Sequence, residues 1–238
     1  SKFCMNIFVI CGYGIPADIW KDQNYLTYLH VVFNKMFELS AGEEAVIIPS
    51  GGPTQCIPPY KGTEAEAISS YLNEFLQRPE LKTRTSAWKV IPEKRSLSTI
   101  ENFLFAREIL DKGKLEGAIT IFAEKTREER LKIFAEEIFG ASAMVHAIDF
   151  DTSKNRYINP AIIQKKEADA LNEGLWTLKE PERIEMHHTL FEKKFAFLRK
   201  RESEGLSHID AVAEWFECQE ELTRELMPDH PLLKKEGL

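Results

Sequence analysis

Residues that could bind a phosphorylated or nucleotide-like metabolite follow four short apolar runs of this sequence. Glycines allow close backbone approach, hydroxyl and amide side chains supply hydrogen bonds, carboxylates can meet an amino group, a hydroxyl or a cation, and arginines can neutralise an anion. The candidate ligand-binding residues are Gly12, Gly14, Ser50, Gly51, Gly52, Thr54, Glu64, Ser96, Ser98, Thr99, Glu101, Asn102, Arg127 and Arg130. Ligands of open parallel sheets bind outside the carboxyl ends of the strands, so we expect these residues to meet in one crevice.

The segment 49–54, Pro-Ser-Gly-Gly-Pro-Thr, directly follows an apolar run. The backbone N–H groups of its two glycines could form an anion-binding nest. A tight turn without a ligand explains the same residues equally well. No Gly-Lys-Ser/Thr follows, and no Gly-x-Gly-x-x-Gly opens a helix after the first strand. The sequence therefore predicts neither a Walker loop nor a dinucleotide fingerprint.

The segment 96–102, Ser-Leu-Ser-Thr-Ile-Glu-Asn, lies where a helix is predicted to begin. A helix N-terminus attracts anions, and hydroxyls placed there add donors. The alternative is capping alone, with Ser98 or Thr99 as the N-cap and Glu101 as an acid of the first turn. Glu64, in the first turn of the preceding predicted helix, carries the same two interpretations.

Arg127 and Arg130 follow the fourth predicted strand at the start of a helix. Their spacing suits bidentate binding of a phosphate or carboxylate. Because Glu128 and Glu129 stand beside them, a solvated helix face is the competing interpretation.

Short apolar runs alternate with helical periodicity over the first 150 residues. Strands are predicted at 6–11, 45–49, 88–91, 118–122 and 144–148, and helices at 24–39, 63–76, 99–113 and 127–139. Residues 63–66, Thr-Glu-Ala-Glu, resemble a capping box, and Gly113 and Gly140 are placed as C-terminal stop signals. This alternation predicts an α/β fold, a Rossmann-like, mostly parallel sheet of about five strands with helices on both faces.

Beyond residue 151 only helical periodicity remains. Helices are predicted at 160–176, 183–202 and 207–227, with an α-hairpin turn at Glu204-Gly205 and an extended tail from Pro228. We expect two domains: a Rossmann-like domain over residues 1–151, and a C-terminal helical extension over 152–238 packed on it. These helices could also supply the surface of an oligomer.

The order of the motifs resembles a known family. The matching residues are Ser50-Gly51-Gly52, Thr63-Glu64-Ala65, Glu93, Ser96, Ser98, Thr99, Glu101 and Asn102. Over roughly residues 6–150, the chain is similar to the YdcF/SanA/ElyC-like family, whose domain is of unknown function. The resemblance implies a Rossmann-like sheet with a polar pocket at the strand ends. One bacterial member is associated with S-adenosylmethionine binding, and others with envelope maintenance.

The chain departs from this family after the fourth strand. The family commonly has a histidine there, with an arginine three residues later, whereas this chain has Arg127 and Arg130. The resemblance therefore does not extend to a histidine-dependent acid–base step.

Composition narrows the class of protein. The formal net charge of −7 argues against a general nucleic-acid binder, which is usually basic. No apolar run reaches the ~18 residues of a membrane helix, and residues 3–11 lack the basic flank and cleavage site of a signal peptide. The four cysteines have neither Cys-x-x-Cys nor zinc-finger spacing, and Cys4 and Cys11 are expected as small core residues. We expect a cytoplasmic protein with a small-molecule ligand and no nucleic-acid or membrane partner.

Three further side-chain roles stay open. Cys11 could act as a nucleophile at the end of the first strand. Asp149 and Asp151, after the fifth strand, could bind a metal or ribose hydroxyls. Four carboxylates could together hold Mg²⁺: Glu64, Glu93, Glu101 and Asp149.

Three functions are compatible with this sequence. The first is binding of a nucleotide-like or phosphorylated metabolite, with hydrolysis or group transfer if the protein is an enzyme. The second, which rests on the resemblance, is binding of S-adenosylmethionine as a cofactor or substrate. The third is a non-enzymatic interaction module that uses the C-terminal helices.

Overall fold

The computed structural model describes residues 4–16, 18–54, 58, 61–151 and 163–236. These residues form two compact units, one holding those up to 151 apart from Pro58, the other holding those from 163 on. In the first unit a parallel sheet has the strand order β3-β2-β1-β4-β5. Its strands are β1 (Asn6–Cys11), β2 (Ala45–Ser50), β3 (Trp88–Val90), β4 (Ala118–Glu124) and β5 (Met144–Ile148). The Rossmann-like α/β prediction is confirmed.

Helices connect the strands, because parallel neighbours require crossover connections. They are α1 (Gln23–Ser40), α2 (Glu64–Leu76), α3 (Pro79–Lys82), α4 (Thr99–Gly113) and α5 (Glu128–Phe139), with 3₁₀ turns at Ile19–Lys21 and Lys125–Arg127. Two of the three inner strands, β1 and β2, are buried on both faces, which explains why their sequences are continuous apolar runs without alternation.

The strands next to β1 end at nearly the same level. Cys11 pairs with Ser50 of β2, and Ile10 pairs with Phe122 of β4. The loops that follow β1, β2 and β4 therefore leave the sheet at one edge. This register brings residues from three separate segments of the chain to the same edge of the sheet.

Several element boundaries differ from the sequence prediction. β2 extends to Ser50 and β4 to Glu124, because these polar residues still pair with a neighbouring strand. Gly113 lies inside α4, and Lys114 instead takes the left-handed conformation at φ 51°. The predicted capping box of α2 is confirmed, with Thr63 and Glu66 each bonded to the other's backbone N–H.

The second unit contains α6 (Ile163–Leu178), α7 (Pro181–Ser203), α8 (His208–Leu226) and a 3₁₀ helix at Pro231–Glu236. Gly205, at φ 100°, turns the chain between α7 and α8, as the α-hairpin prediction requires. The prediction of an extended tail from Pro228 is wrong in part, because Pro231–Glu236 forms a 3₁₀ helix. Two predictions cannot be compared with the described residues: the helix start at 160 and the domain boundary at 151–152. Cys56, one of the four cysteines, also lies outside the described residues.

The helical unit has its own small core, which includes Leu190, Leu198 and Trp215. Arg201 of α7 donates to both carboxylate oxygens of Glu214 of α8, at 2.7 and 3.0 Å, which ties the two helices together. Across the part of the chain that the structure describes, every helix is too short or too polar to cross a membrane.

Candidate functional site

The direction of the strand order reverses between β1 and β4. From β1 the chain builds outward to β2 and β3, and then returns through α4 to β4 on the other side of β1. Such a reversal leaves a crevice at the carboxyl ends of the two neighbouring strands, where ligands of this fold class bind. Gly12 follows β1 at this point, and Arg127 ends the 3₁₀ turn after β4.

Arg127 joins three segments at this crevice. Its Nη2 donates to the carbonyl oxygen of Gly12 at 3.1 Å, and its Nη1 lies 3.5 Å from the Thr99 hydroxyl in the first turn of α4. Its Nε lies 3.9 Å from a carboxylate oxygen of Glu124, at the end of β4. The structure thus brings the predicted residues Gly12, Thr99 and Arg127 together.

Arg130 lies near the same strand end. The positive charges of Arg127 and, to the smallest extent among the contributing groups, Arg130 both favour the thiolate of Cys11 and so act to lower its pKa. Glu128, the neighbour that suggested a solvated face, pairs instead with Lys125 and Lys132.

Glu64 is the carboxylate of this crevice. It is the first residue of α2, and it is only 9% exposed. The Thr54 hydroxyl donates to its Oε1 at 3.1 Å. A Cβ at Gly12 would lie 1.7 Å from its Oε2, and a Cβ at Gly51 would lie 2.3 Å from its own Cβ. Both positions favour glycine, because a larger residue at either one would collide with the Glu64 side chain as it stands.

Burial raises the pKa of Glu64 from 4.5 to about 7. The charge of Arg127 and hydrogen bonds from Thr54 and from the Gly14 backbone oppose this rise, but they do not cancel it. Gly14 reaches the carboxylate from a backbone at φ 139°, a conformation that favours glycine. The Glu64 side chain therefore releases its proton much closer to neutral pH than an exposed glutamate does.

Glu93 is a second buried carboxylate, 3% exposed, in the loop after β3. Its Oε2 accepts from the Ser50 hydroxyl at 2.6 Å, and its Oε1 accepts from the backbone N–H groups of Arg95 at 2.6 Å and Ser96 at 2.9 Å. The Ser96 hydroxyl in turn donates to Asn102 Oδ1 at 2.6 Å. Three predicted ligand-binding residues, Ser50, Ser96 and Asn102, thus belong to a network that the protein satisfies internally.

The predicted anion nest at the two glycines is wrong. The N–H of Gly51 donates to the Glu93 carbonyl at 3.0 Å, and that of Gly52 donates to the Ser96 carbonyl at 2.7 Å. Both donors are used to hold the loop after β3 against the end of β2. A Cβ at Gly52 would lie 2.3 Å from the Ser96 carbonyl oxygen, so the close approach of two backbones, not of a ligand, requires this glycine.

Ser98 and Glu101 cap α4. The Ser98 hydroxyl accepts from the Glu101 N–H at 3.4 Å, and Glu101 Oε1 accepts from the Leu97 N–H at 2.9 Å. This is the capping interpretation that the sequence left open. Thr99, between them, is the member of this segment that approaches Arg127.

Cys11 is buried as expected, whereas Cys4 is exposed, contrary to its prediction as a core residue. Burial raises the pKa of the Cys11 thiol to about 12 despite the nearby arginines. A thiol is a poor nucleophile, so the structure does not support attack by Cys11 at neutral pH.

The four carboxylates that the sequence left open as a magnesium site do not form one ligand set among the described residues. Within residues 4–16, 18–54, 58, 61–151 and 163–236, no three His, Cys, Asp or Glu side chains are grouped closely enough to hold a metal ion. Glu93 and Glu101 turn toward backbone donors of their own loop, and Asp149 lies exposed.

Sequence reasoning missed Tyr25 in α1. Its hydroxyl would lie 3.0 Å from a Cβ at Gly12, and the charge of Glu64 contributes to raising its pKa. The hydroxyl of Tyr28, one turn later, donates to the Cys11 carbonyl at 2.6 Å. Tyr25 and Tyr28 lie three residues apart on the buried stripe of α1, a spacing that any core residue of a helix has, so the sequence gives no specific signal for this wall of the crevice.

No known protein-family model, curated protein or solved structure matches this chain. The resemblance to the YdcF/SanA/ElyC-like family therefore stays a prediction. The functional argument depends on the geometry alone.

Proposed function

We propose that the chain binds a small phosphorylated or nucleotide-like metabolite at the carboxyl ends of β1, β2 and β4. We further propose that Glu64 exchanges a proton with this ligand during hydrolysis or group transfer. The two arginines receive the anionic group, and the carboxylate faces the part of the ligand that gains or loses a proton.

The observation that carries this proposal is the position of Glu64. A carboxylate buried with its pKa raised to about 7 destabilises the fold, and two glycines, Gly12 and Gly51, make room for it. Strongly perturbed groups in a crevice concentrate at functional sites. A side chain whose pKa lies near neutral pH can both accept and donate a proton, as general acid–base catalysis requires.

Arg127 and Arg130 support an anionic ligand. Guanidinium groups bind phosphate through paired, charge-assisted hydrogen bonds. Arg127 also lies beside Thr99, in the first turn of the 15-residue helix α4, where the helix dipole favours negative charge. An anion bound there would contact Arg127, and the network around Glu93 already satisfies its own polar groups.

Thermal unfolding of the intact protein against a ligand panel tests the proposal. The panel contains nucleotides, sugar phosphates, inorganic phosphate, S-adenosylmethionine and its demethylated product, each with and without Mg²⁺. A ligand at about 100 times its dissociation constant stabilises the folded protein by about 2.7 kcal/mol, which raises Tm by several degrees. We expect a phosphorylated compound to give this shift.

Three variants assign the shift to the crevice. The double variant Arg127→Gln/Arg130→Gln should lose it, and Glu64→Gln should keep binding but lose turnover. Arg107→Gln is the matched control, because Arg107 belongs to the same unit but is exposed and paired with Asp111 at 3.0 Å. A shift that survives in the double arginine variant, or a panel without any shift, would overturn the proposed function.

A further inference from the structure

Glu64 and Arg127 both lie against Gly12, just after β1. A Cβ at Gly12 would lie 1.7 Å from Glu64 Oε2, and Arg127 Nη2 donates to the Gly12 carbonyl at 3.1 Å. Glu64 is 9% exposed, and the Arg127 side chain is 15% exposed. Because solvent screens charges poorly at buried positions, the two groups act on each other, and the charge of Arg127 favours the ionised form of Glu64.

The guanidinium group of Arg127 already has a carboxylate beside it. Glu124 Oε2 lies 3.9 Å from Arg127 Nε, and the Glu124 side chain is 3% exposed. The negative charge of Glu93 also reaches Glu64 and opposes its ionisation. An ionised Glu64 therefore adds negative charge to a crevice that holds other carboxylates. An anion that binds Arg127 is repelled by this charge, whereas a protonated Glu64 does not repel it.

We infer that the crevice takes up one proton together with its anionic ligand, and that Glu64 holds this proton. The inference rests on the proposed function, because it requires an anion beside Arg127. The proton removes the charge that competes with the anion for the guanidinium group. Because linkage is reciprocal, protonation of Glu64 strengthens anion binding by the same factor by which the anion strengthens protonation. The bound ligand therefore meets Glu64 as a proton donor and not as a base.

Three further ionisable side chains face Glu64: Cys11 at the end of β1, and Tyr25 and Tyr28 on α1. Burial raises the pKa of the Cys11 thiol to about 12 and the pKa of both tyrosines well above 10. These three side chains stay neutral between pH 6 and pH 8. Glu64 releases its proton within this range, since burial raises its pKa to about 7.

Isothermal titration of the intact protein with inorganic sulfate and with adenosine 5′-monophosphate tests the inference. Sulfate has the same charge at pH 6 and at pH 8, so a change in its affinity comes from the protein. We expect sulfate to bind about tenfold more weakly at pH 8 than at pH 6 at constant ionic strength, because Glu64 must first gain a proton. At pH 8, titrations in two buffers that differ in ionisation enthalpy should show uptake of about one proton for each bound probe.

Two glutamine variants assign the proton to Glu64. Glu64→Gln has a neutral side chain of nearly the same shape, so it should bind sulfate equally at both pH values and without proton uptake. At pH 8 it should bind sulfate about tenfold more tightly than the wild type. Glu74→Gln is the matched control, because Glu74 belongs to the same helix, α2, but is exposed. It should keep the proton uptake and the pH dependence of the wild type.

Three results would overturn the inference. The first is binding of either probe at pH 8 without proton uptake, which would leave the proposed ligand site standing but show that Glu64 stays ionised beside the anion. The second is proton uptake that persists in Glu64→Gln, since another group would then hold the proton. The third is an absence of binding by both probes at pH 6. A thermal panel without any shift would instead overturn the proposed function, so the two failures are distinguishable.

Discussion

Two buried glutamates, Glu64 and Glu93, both lie next to the end of β2 and the loop that follows it, and they differ in how their carboxylates are hydrogen-bonded. Glu93 receives three hydrogen bonds of 2.6–2.9 Å, two of them from backbone N–H groups. Glu64 has a hydroxyl donor at 3.1 Å and a backbone donor from Gly14, and burial still raises its pKa to about 7.

The difference separates a structural carboxylate from a functional candidate. Two backbone N–H groups and the Ser50 hydroxyl bond to the carboxylate of Glu93, which joins the loop after β3 to the end of β2. The hydrogen bonds of Glu64 stabilise its buried carboxylate only in part. A ligand or a proton bound to this carboxylate would therefore stabilise the folded protein. Both residues lie in the motifs that resemble one family, so motif membership alone does not distinguish their roles.

The largest expected contrast comes from the glycines beside each glutamate. Gly52→Ala should lower the free energy of unfolding by about 3 kcal/mol, because its Cβ would meet the Ser96 backbone carbonyl at 2.3 Å, and backbone cannot rotate away. Gly12→Ala should cost about 1 kcal/mol, since its Cβ meets the end of the flexible Glu64 side chain. Urea unfolding measures both. Equal losses of unfolding free energy in the two variants would mean that the surroundings of Gly12 are packed as rigidly as those of Gly52.

Replacing each glutamate by glutamine should change stability in opposite directions. Glu93→Gln should cost about 2 kcal/mol, because hydrogen bonds to a charged acceptor are stronger than those to an amide. Glu64→Gln should stabilise the protein by up to about 3 kcal/mol at pH 8, which corresponds to the rise in the Glu64 pKa from 4.5 to about 7. Unfolding at constant pH and salt gives both values, and a loss in both variants would contradict the comparison.

The gain in Glu64→Gln should depend on pH. The unfolded chain releases the Glu64 proton near pH 4.5, whereas the folded chain holds it until about pH 7. The stability that protonated Glu64 contributes is therefore complete below pH 4.5 and is lost as the pH rises through 7. We expect the advantage of Glu64→Gln over the wild type to shrink from pH 8 to below about 1 kcal/mol at pH 5. A constant difference between these pH values would show that burial does not perturb Glu64.

The smallest expected effect concerns Thr54. Thr54→Val removes the hydroxyl that donates to Glu64 Oε1, so the Glu64 pKa should rise further, by a fraction of a unit. Titration of the Glu64 carboxyl resonance by NMR measures the shift. Thr99→Val is the control, because Thr99 approaches Arg127 instead. A lower Glu64 pKa in Thr54→Val would refute the assigned hydrogen bond.

Much of the fold follows from local sequence pattern. β1 and β5 have the predicted bounds, and the capping box of α2 forms at the predicted residues. The misassigned positions depend on neighbours in space. Ser50 and Glu124 extend their strands because a partner strand pairs with them, and Lys114 replaces Gly113 as the left-handed residue at the end of α4.

The sequence indicated which polar residues follow the strands but not how they are arranged or which of them the protein uses internally. The sequence places polar residues after each strand, and the rule for parallel sheets gathers them at one edge. It does not indicate that Ser50, Ser96 and Asn102 bond to one another or to Glu93. It also does not single out Tyr25, because a tyrosine on a helical stripe has the spacing of any core residue.

The sequence by itself determined the parallel α/β fold, the helical character of the C-terminal region and the edge of the sheet where polar residues collect. Hydrophobic periodicity and turn chemistry are local, so they suffice for these conclusions. Only the tertiary structure decided which buried carboxylate is satisfied and which is left with a pKa near 7. That outcome depends on which backbone donors and charges surround each oxygen, and residues distant in the chain supply them.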